Sequence, residues 1–324
     1  MYKLDNIDKK IIYEMEKNAR LSYRQVAQKI GSKKEIVAYH FNQLLKDKII
    51  NKMMPVFSIT KLGIYACKIY LKLHGIDKEN EKKLYDFLIS NKAVSWIARC
   101  TGKWDILIAI YCQDIVEFSL KKNQILSKFS RFIQDYDVTL IEDALVFSRD
   151  YLVGKSVDYR KSLVFGGEKE SVQIKDYDKE IIRLIRNDAR FSITEISEKM
   201  GIDSRTVIAR IRYLEKKEVL QGYTIFLNLQ KVGYKLFKLC LYLSDYKIKD
   251  VDKLISYIKQ NPNVIHIIKA LGSWELEVEI EYDDIYKTYD YINELKTNFP
   301  EMIKRIDLAI IMEEVKWDMF PEWF

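Results

Sequence analysis

The chain has 324 residues, 48% of them hydrophobic, about twice a typical domain, so at least two independent cores are expected and no disulfide or metal staple is needed. Its 54 Lys+Arg against 47 Asp+Glu leave a net charge of +7, which suits a polyanionic partner without requiring one. The longest run free of charged and amide side chains, ILIAIYC at 106–112, is far short of the ~20 residues that span a bilayer, which excludes a transmembrane helix. Cys67, Cys100, Cys112 and Cys240 lie in apolar surroundings with none of the paired spacings that bind zinc, and the opening residues do not read as a signal peptide. A reduced, cytoplasmic chain without a resident cofactor or metal is the expectation.

In chain order, residues 1–62 read as helical and 63–150 as mixed helix and strand. Residues 151–173, YLVGKSVDYRKSLVFGGEKESVQ, mix Ser, Gly-Gly and charge as a linker or extended tail does, although VDYRKSLVF is apolar enough to lie on a domain. The second half then repeats the first at a constant offset of 170 residues (Asp8 to Asp178, Ala19-Arg20 to Ala189-Arg190, Gly31 to Gly201, Gly63 to Gly233, Trp104 to Trp274). A register kept over a hundred residues without insertion makes the halves two copies of one two-part fold.

The second copy is the more legible. Ile181, Ile182, Leu184 and Ile185 form one amphipathic stripe, and Ser192 with Glu195 makes a capping box for a short second helix that Gly201 ends. Asp203 or Ser204 caps a third helix whose buried side is Val207, Ile211 and Leu214. Three short helices with a tight Gly turn between the second and third predict a helix-turn-helix. LQGYTIFLNLQKVGY, with Gly222 and Asn228 near turns, predicts a two-stranded wing over 220–234. Beyond it come a strand (234–243), a helix closed by Asn-Pro, two strands around Leu271-Gly272-Ser273, a helix (284–299) and a last strand (305–313), a βαββαβ ferredoxin-like unit.

The order of elements, with Asp188-Ala189-Arg190, Thr206-Val207-x-x-Arg210-Ile211-x-x-Leu214, Gly222-Tyr223 and Leu271-Gly272-Ser273-Trp274-Glu275, resembles the Lrp/AsnC family of transcription regulators. The resemblance implies an α+β chain of two winged helix-turn-helix domains (1–62 and 174–232) and two ferredoxin-like sensor and dimerisation domains (63–150 and 233–324), joined by a linker at 151–173. It also implies double-stranded DNA as partner, a small-molecule effector such as an amino acid, and no membrane. Because family members pair through their βαββαβ domains, one tandem chain is expected to supply both members as a covalent pseudo-dimer, with further homodimerisation still open. Linking places one half at an effective concentration of ~mM near the other.

On the second recognition helix, Arg205, Ala209, Arg212 and Lys216 form one stripe opposite the buried residues, and its start at Ser204, Arg205 and Thr206 is where base contacts are expected. Arg210 stands at the family's common arginine position and is expected on phosphate or the helix flank. The first copy has Glu35 for Arg205, His40 for Arg210 and Asn42 for Arg212, with Lys33 and Lys34 near the phosphates and Tyr39, His40 and Asn42 as hydrogen-bonding or stacking groups. It either reads another sequence or has lost base readout. The family resemblance places an effector near Gly102, Trp104 and Asp105 and near Gly272, Trp274 and Glu275; the competing reading is that Gly serves the turn and Trp the core.

Alternate residues Glu275, Glu277, Glu279 and Glu281 put carboxylates on one sheet face where the first copy has Asp105, Leu107, Ala109 and Tyr111. Lys68 and Lys72 are expected to meet Glu277 and Glu279 across the internal interface; otherwise the glutamate row faces water. Two other functions compete. Siroheme decarboxylases share this architecture, but of His40, His74 and His266 only His266 lies near the sensor turn, and no catalytic pairing or metal-ligand spacing appears. A DNA-architectural protein of low sequence specificity would suit the lysine-rich first copy but not the arginine stripe of the second.

Overall fold

A computed structural model describes residues 2–154, 162–167, 172–244, 247–318, 320–321 and 324. The first half runs α1 (Asn6–Lys17), α2 (Tyr23–Ile30), α3 (Lys34–Lys46), β1 (Ile50–Phe57), β2 (Tyr65–Leu73), α4 (Lys78–Ser90), β3 (Val94–Gly102), β4 (Ile106–Cys112), α5 (Ile115–Lys128) and β5 (Ile133–Val146). After β6 (Leu163–Gly166) the second half follows with α6 (Asp176–Ile185), α7 (Ile193–Met200), α8 (Ser204–Lys216), β7 (Leu220–Leu227), α9 (Leu229–Val232), β8 (Lys235–Leu243), α10 (Ile248–Ile258), β9 (Val264–Gly272), β10 (Leu276–Tyr282), α11 (Ile285–Asn298) and β11 (Ile303–Trp317). Part of the expected linker is therefore strand: β6 pairs with the end of β5, while 155–161 and 168–171 lie outside the described residues.

The helix starts are written locally. Ser22 with Gln25 and Ser192 with Glu195 form reciprocal capping boxes, each satisfying two orphan N–H groups, and Asp203 accepts from the Arg205 N–H to open α8. Val207, Ile211 and Leu214 are buried, as their spacing predicts.

The expected wing is corrected. Residues 220–227 form one strand, not a hairpin, and Asn228 caps the short α9 instead of turning a second strand back. The partner of β7 is β1 of the other half, antiparallel from Ile50↔Leu227 to Phe57↔Leu220. A strand without a local partner must find one elsewhere to satisfy its backbone groups, and here the duplicate provides it. Isoleucines, valines and leucines of both helical domains consequently merge into one hydrophobic core.

Within each half the βαββαβ strands take the order last-first-third-second, β5-β2-β4-β3 and β11-β8-β10-β9. Each last strand also pairs with the second strand of the other half, β11 with β3 and β5 with β9, so the ring closes and leaves no free edge among its strands. Helices α4 and α5, and α10 and α11, cover the outside of their own sheets. The interior is contributed by both halves, with Tyr70, Trp104, Cys240 and Trp274 among its buried residues. Among the described residues no helix is long and apolar enough to cross a membrane.

Candidate nucleic-acid interface and the barrel interior

On α8, Arg205, Thr206, Ala209, Arg212 and Lys216 are all exposed, and Ser204 is half-buried at the helix start. Arg210 is separate from this stripe. Its Nε and Nη2 donate to the two carboxylate oxygens of the buried Asp178 at 2.7 Å each, and its guanidinium lies 4.1 Å from the Tyr213 ring centroid. Arg210 therefore ties the recognition helix to α6, on the helix flank that was one of its two expected places. The same link recurs in the first copy with His40 Nδ1 2.8 Å from Asp8 Oδ1. Expected as a DNA-facing group, His40 is the counterpart of that brace.

The first copy exposes Lys33, Lys34, Tyr39 and Asn42, and around them Glu35 and Ile36. Asn42 accepts from the Tyr23 hydroxyl at 3.3 Å. This helix face thus carries an acid, an isoleucine and a tyrosine where α8 carries arginine, threonine and alanine.

The repeated Ala-Arg pairs join the two helical domains. The Ala19 N–H donates to the Tyr223 carbonyl and the Ala189 N–H to the Met53 carbonyl. Arg20 donates to the Ala189 carbonyl at 2.6 Å, and Arg190 to the carbonyls of Ala19 and Leu21 at 2.9 and 2.8 Å. With the β1–β7 ladder, these bonds relate the recognition helices by an approximate two-fold axis.

The six residues expected near an effector all take part in barrel closure. A Cβ on Gly102 would lie 2.5 Å from the Leu308 carbonyl oxygen and one on Gly272 2.3 Å from that of Val138, both at positive φ, so glycine is what lets the other half's last strand approach. Trp104 and Trp274 are buried with ring centroids 5.1 Å apart, each against Tyr70. Asp105 accepts from the Leu73 N–H and Glu275 from the Leu243 N–H, both at 2.8 Å. None of the six lines either of the cavities described below.

The glutamate row points inward. Glu277 and Glu281 are fully buried and Glu279 nearly so, which removes the solvent-facing alternative. Lys68 donates to Glu277 at 2.6 Å across the two halves and Lys238 donates to it at 2.9 Å, while Tyr70 donates at 2.5 Å. Lys72 does not join them; it pairs with Asp105 at 3.1 Å. Lys238 also bonds Glu279, whose other oxygen lies 2.5 Å from His266 Nδ1. Burial alone would raise the Glu277 carboxyl, but Lys238 and Lys68 outweigh it and hold the group down to about 2.

Above this cluster, between the barrel mouth and the β1–β7 ladder, lies a cavity of about 590 Å³, with a smaller one of about 120 Å³ beside it. Val146, His266, Glu279, Glu314 and Trp317 line both. Arg149 is held by Glu281 through two bonds of 2.7 Å and by Glu16 of α1, and the Tyr151 hydroxyl donates to Glu281 at 2.6 Å. Burial pushes the Glu314 carboxyl up to about 8, against a 2.9 Å hydrogen bond from Trp96 Nε1 that acts to lower it. Sequence reasoning reached Glu277, Glu279 and Glu281 through their alternation. Arg149 and Glu314 stand in no pattern, because they meet the cavity from strand ends of different halves.

Comparison with known proteins agrees with this architecture. The family described as "Winged helix-turn-helix DNA-binding" matches twice, at residues 4–51 and 174–221. An uncharacterised HTH-type transcriptional regulator of Pyrococcus furiosus is 30% identical over 108 residues, 33% of this chain and 71% of that protein. The HTH-type transcriptional regulator LrpA of Pyrococcus horikoshii is 43% identical over 63 residues, 19% of this chain and 45% of its own length. Among solved structures, the siroheme decarboxylase NirDL in co-complex with an iron-uroporphyrin III analogue shares the fold over 99% of this chain and 97% of its own, with a TM-score of 0.64 at 12% identity. Duplicated helix-turn-helix units, the βαββαβ order of each half and the relationship to these regulators together place the chain in the Lrp/AsnC family of HTH-type transcriptional regulators, with the family's unit present twice.

Proposed function

We propose that the protein is a sequence-specific transcription regulator that binds double-stranded DNA as a covalent pseudo-dimer on an asymmetric site. The observation that carries this reading is the contrast between two recognition helices held in one β1–β7 ladder. One exposes Arg205, Thr206, Arg212 and Lys216; the other exposes Glu35, Ile36, Tyr39 and Asn42. Arginine forks suit guanine edges, and Asn42 suits adenine. Lys33 and Lys34 sit at the start of α3, where phosphate is the natural partner.

In-vitro site selection followed by Arg205→Ala and Arg212→Ala tests this. Loss of preference confined to one half of an asymmetric site is the expected result; unchanged binding overturns the assignment of α8 as reader. A salt titration comparing selected and random DNA separates specific regulation from architectural binding, which gives nearly equal affinities at fixed salt.

The whole-chain likeness to a siroheme decarboxylase favours a second reading, an enzyme acting on a tetrapyrrole. The lining of the larger cavity speaks against it: Glu16, Asp150, Glu279, Glu281 and Glu314 face a space with Lys17 and Arg149 as its only lysine and arginine among the described residues. Siroheme is a polycarboxylate, and the one guanidinium there, Arg149, is already taken up by Glu16 and Glu281. Siroheme added to the protein is expected to give no absorbance change and no decarboxylated product; either signal would restore the enzyme reading.

A further inference from the structure

We propose that the cavity between the β1–β7 ladder and the barrel mouth binds a small organic cation with an apolar body, its ammonium seated against Glu314. At about 590 Å³ the space is within the range of small-molecule sites. Phe226 and Trp317, rings 4.6 Å apart, stand at its wall with Met54 and Phe147, so an alkyl or aryl body has apolar surface to cover. A cation would also have the ring of Trp317, which lines both cavities, near its route to the carboxyl.

Among the described residues Glu314 is a cavity acid that no ion pair neutralises. Arg149 bridges Glu16 and Glu281, and Lys238 and His266 both contact Glu279. Lys68, which lines the smaller cavity, bonds Glu277. Among the described residues no Lys, Arg or His pairs with Glu314; its hydrogen bond comes from the neutral indole of Trp96. Glu279 and Glu281 on β10 make its surroundings more negative, and Arg149 opposes them. A half-buried carboxyl so placed is held toward its protonated form until a cation arrives to share its charge.

The position also suits control. Walls of the cavity come from α1 and β1 of the first helical domain, β7 of the second, and β9, β10 and β11 of the barrel. A ligand there touches both helical domains and the barrel at once. That consequence rests on the regulator reading; the ligand site itself does not.

Calorimetry on DNA-free protein with cadaverine, agmatine and tryptamine, against tryptophol and indole-3-acetate as uncharged and anionic controls, tests the site. At least one amine is expected to bind once per chain, while the controls do not. Repeating the titration at pH 7 in buffers of different ionisation heat should show release of nearly one proton per amine, as Glu314 ionises against the ammonium. Glu314→Gln keeps the acceptor for Trp96 and should weaken the amine at least tenfold and abolish the proton release. No binding by any of the three amines, undiminished binding to the variant, or preference for indole-3-acetate overturns the proposal. Because no DNA is present, failure here leaves the DNA-binding reading standing, and failure of DNA binding leaves this site standing.

Discussion

Replacing Glu277 by Gln tests the claim that buried charges lock the two halves together. The substitution preserves shape and leaves an oxygen for Tyr70, but its amide nitrogen would face the ammonium groups of Lys68 and Lys238, both donors. A carboxyl whose ordinary value is 4.5 and that the fold holds at about 2 contributes about 3 kcal/mol of stability at neutral pH, at roughly 1.36 kcal/mol per pH unit. Because the folded value is the lower one, that contribution is complete above about pH 4.5 and fades as pH falls toward 2. Urea unfolding followed by tryptophan fluorescence is the assay, since Trp104 and Trp274 lie in the barrel and Trp274 Nε1 donates to Glu277 at 3.2 Å. Glu277→Gln is expected to lose about 3 kcal/mol at pH 7, and its deficit relative to wild type should shrink between pH 4.5 and 2. The double variant with Lys68→Met should lose less than the sum of the two single changes, because they share one interaction. A loss below about 1 kcal/mol at pH 7, or a deficit unchanged in acid, would refute the reasoning.

Three further outcomes are expected. Arg205→Ala and Arg212→Ala should each weaken DNA binding by about 1–3 kcal/mol by electrophoretic titration while leaving the melting temperature unchanged, since both side chains are exposed. Arg210→Ala should instead lower the melting temperature, by leaving the fully buried Asp178 without its bidentate partner at a cost of about 3 kcal/mol; Asp178→Asn with Arg210→Ala should recover part of it. Gly272→Ala should destabilise the chain in thermal denaturation by at least about 1 kcal/mol, because its Cβ meets the Val138 backbone oxygen where only backbone movement can relieve the contact.

Local chemistry made most of the elements readable. The capping box at Ser192, the glycine after each second helix and the i, i+4, i+7 spacing of Val207, Ile211 and Leu214 act within a few residues, so their structural meaning survives without the rest of the chain. The wing was misread because a strand carries no mark of who its partner is: 220–227 alternates as a hairpin arm does, yet its ladder is completed by β1, far away in sequence. The same limit applied to Gly102 and Gly272. Their turns were legible, but the strand pressing on each belongs to the other half. Arg210 was expected on phosphate or the helix flank and His40 as a hydrogen-bonding or stacking group, and it takes the positions of Asp178 and Asp8 to show what each side chain meets within its own domain. Lys68 was matched to Glu277 from alternation alone, whereas Lys72, two residues on, stops short at Asp105.

The inward glutamates carry a consequence for inheritance. Two copies of the second unit paired with each other would enclose Glu277, Glu279 and Glu281 twice, with Lys238 twice, once at the position of Lys68, and no Arg149 to answer Glu281. Two copies of the first would enclose Lys68 opposite Leu107 and Ala109. Neither unit retains a partner equal to itself, so a gene split between them would yield proteins obliged to find each other. Fusion therefore works as a ratchet: once the charges had been divided between the halves, return to a symmetric ancestor would require several simultaneous substitutions, while each further change on a recognition helix needs only one.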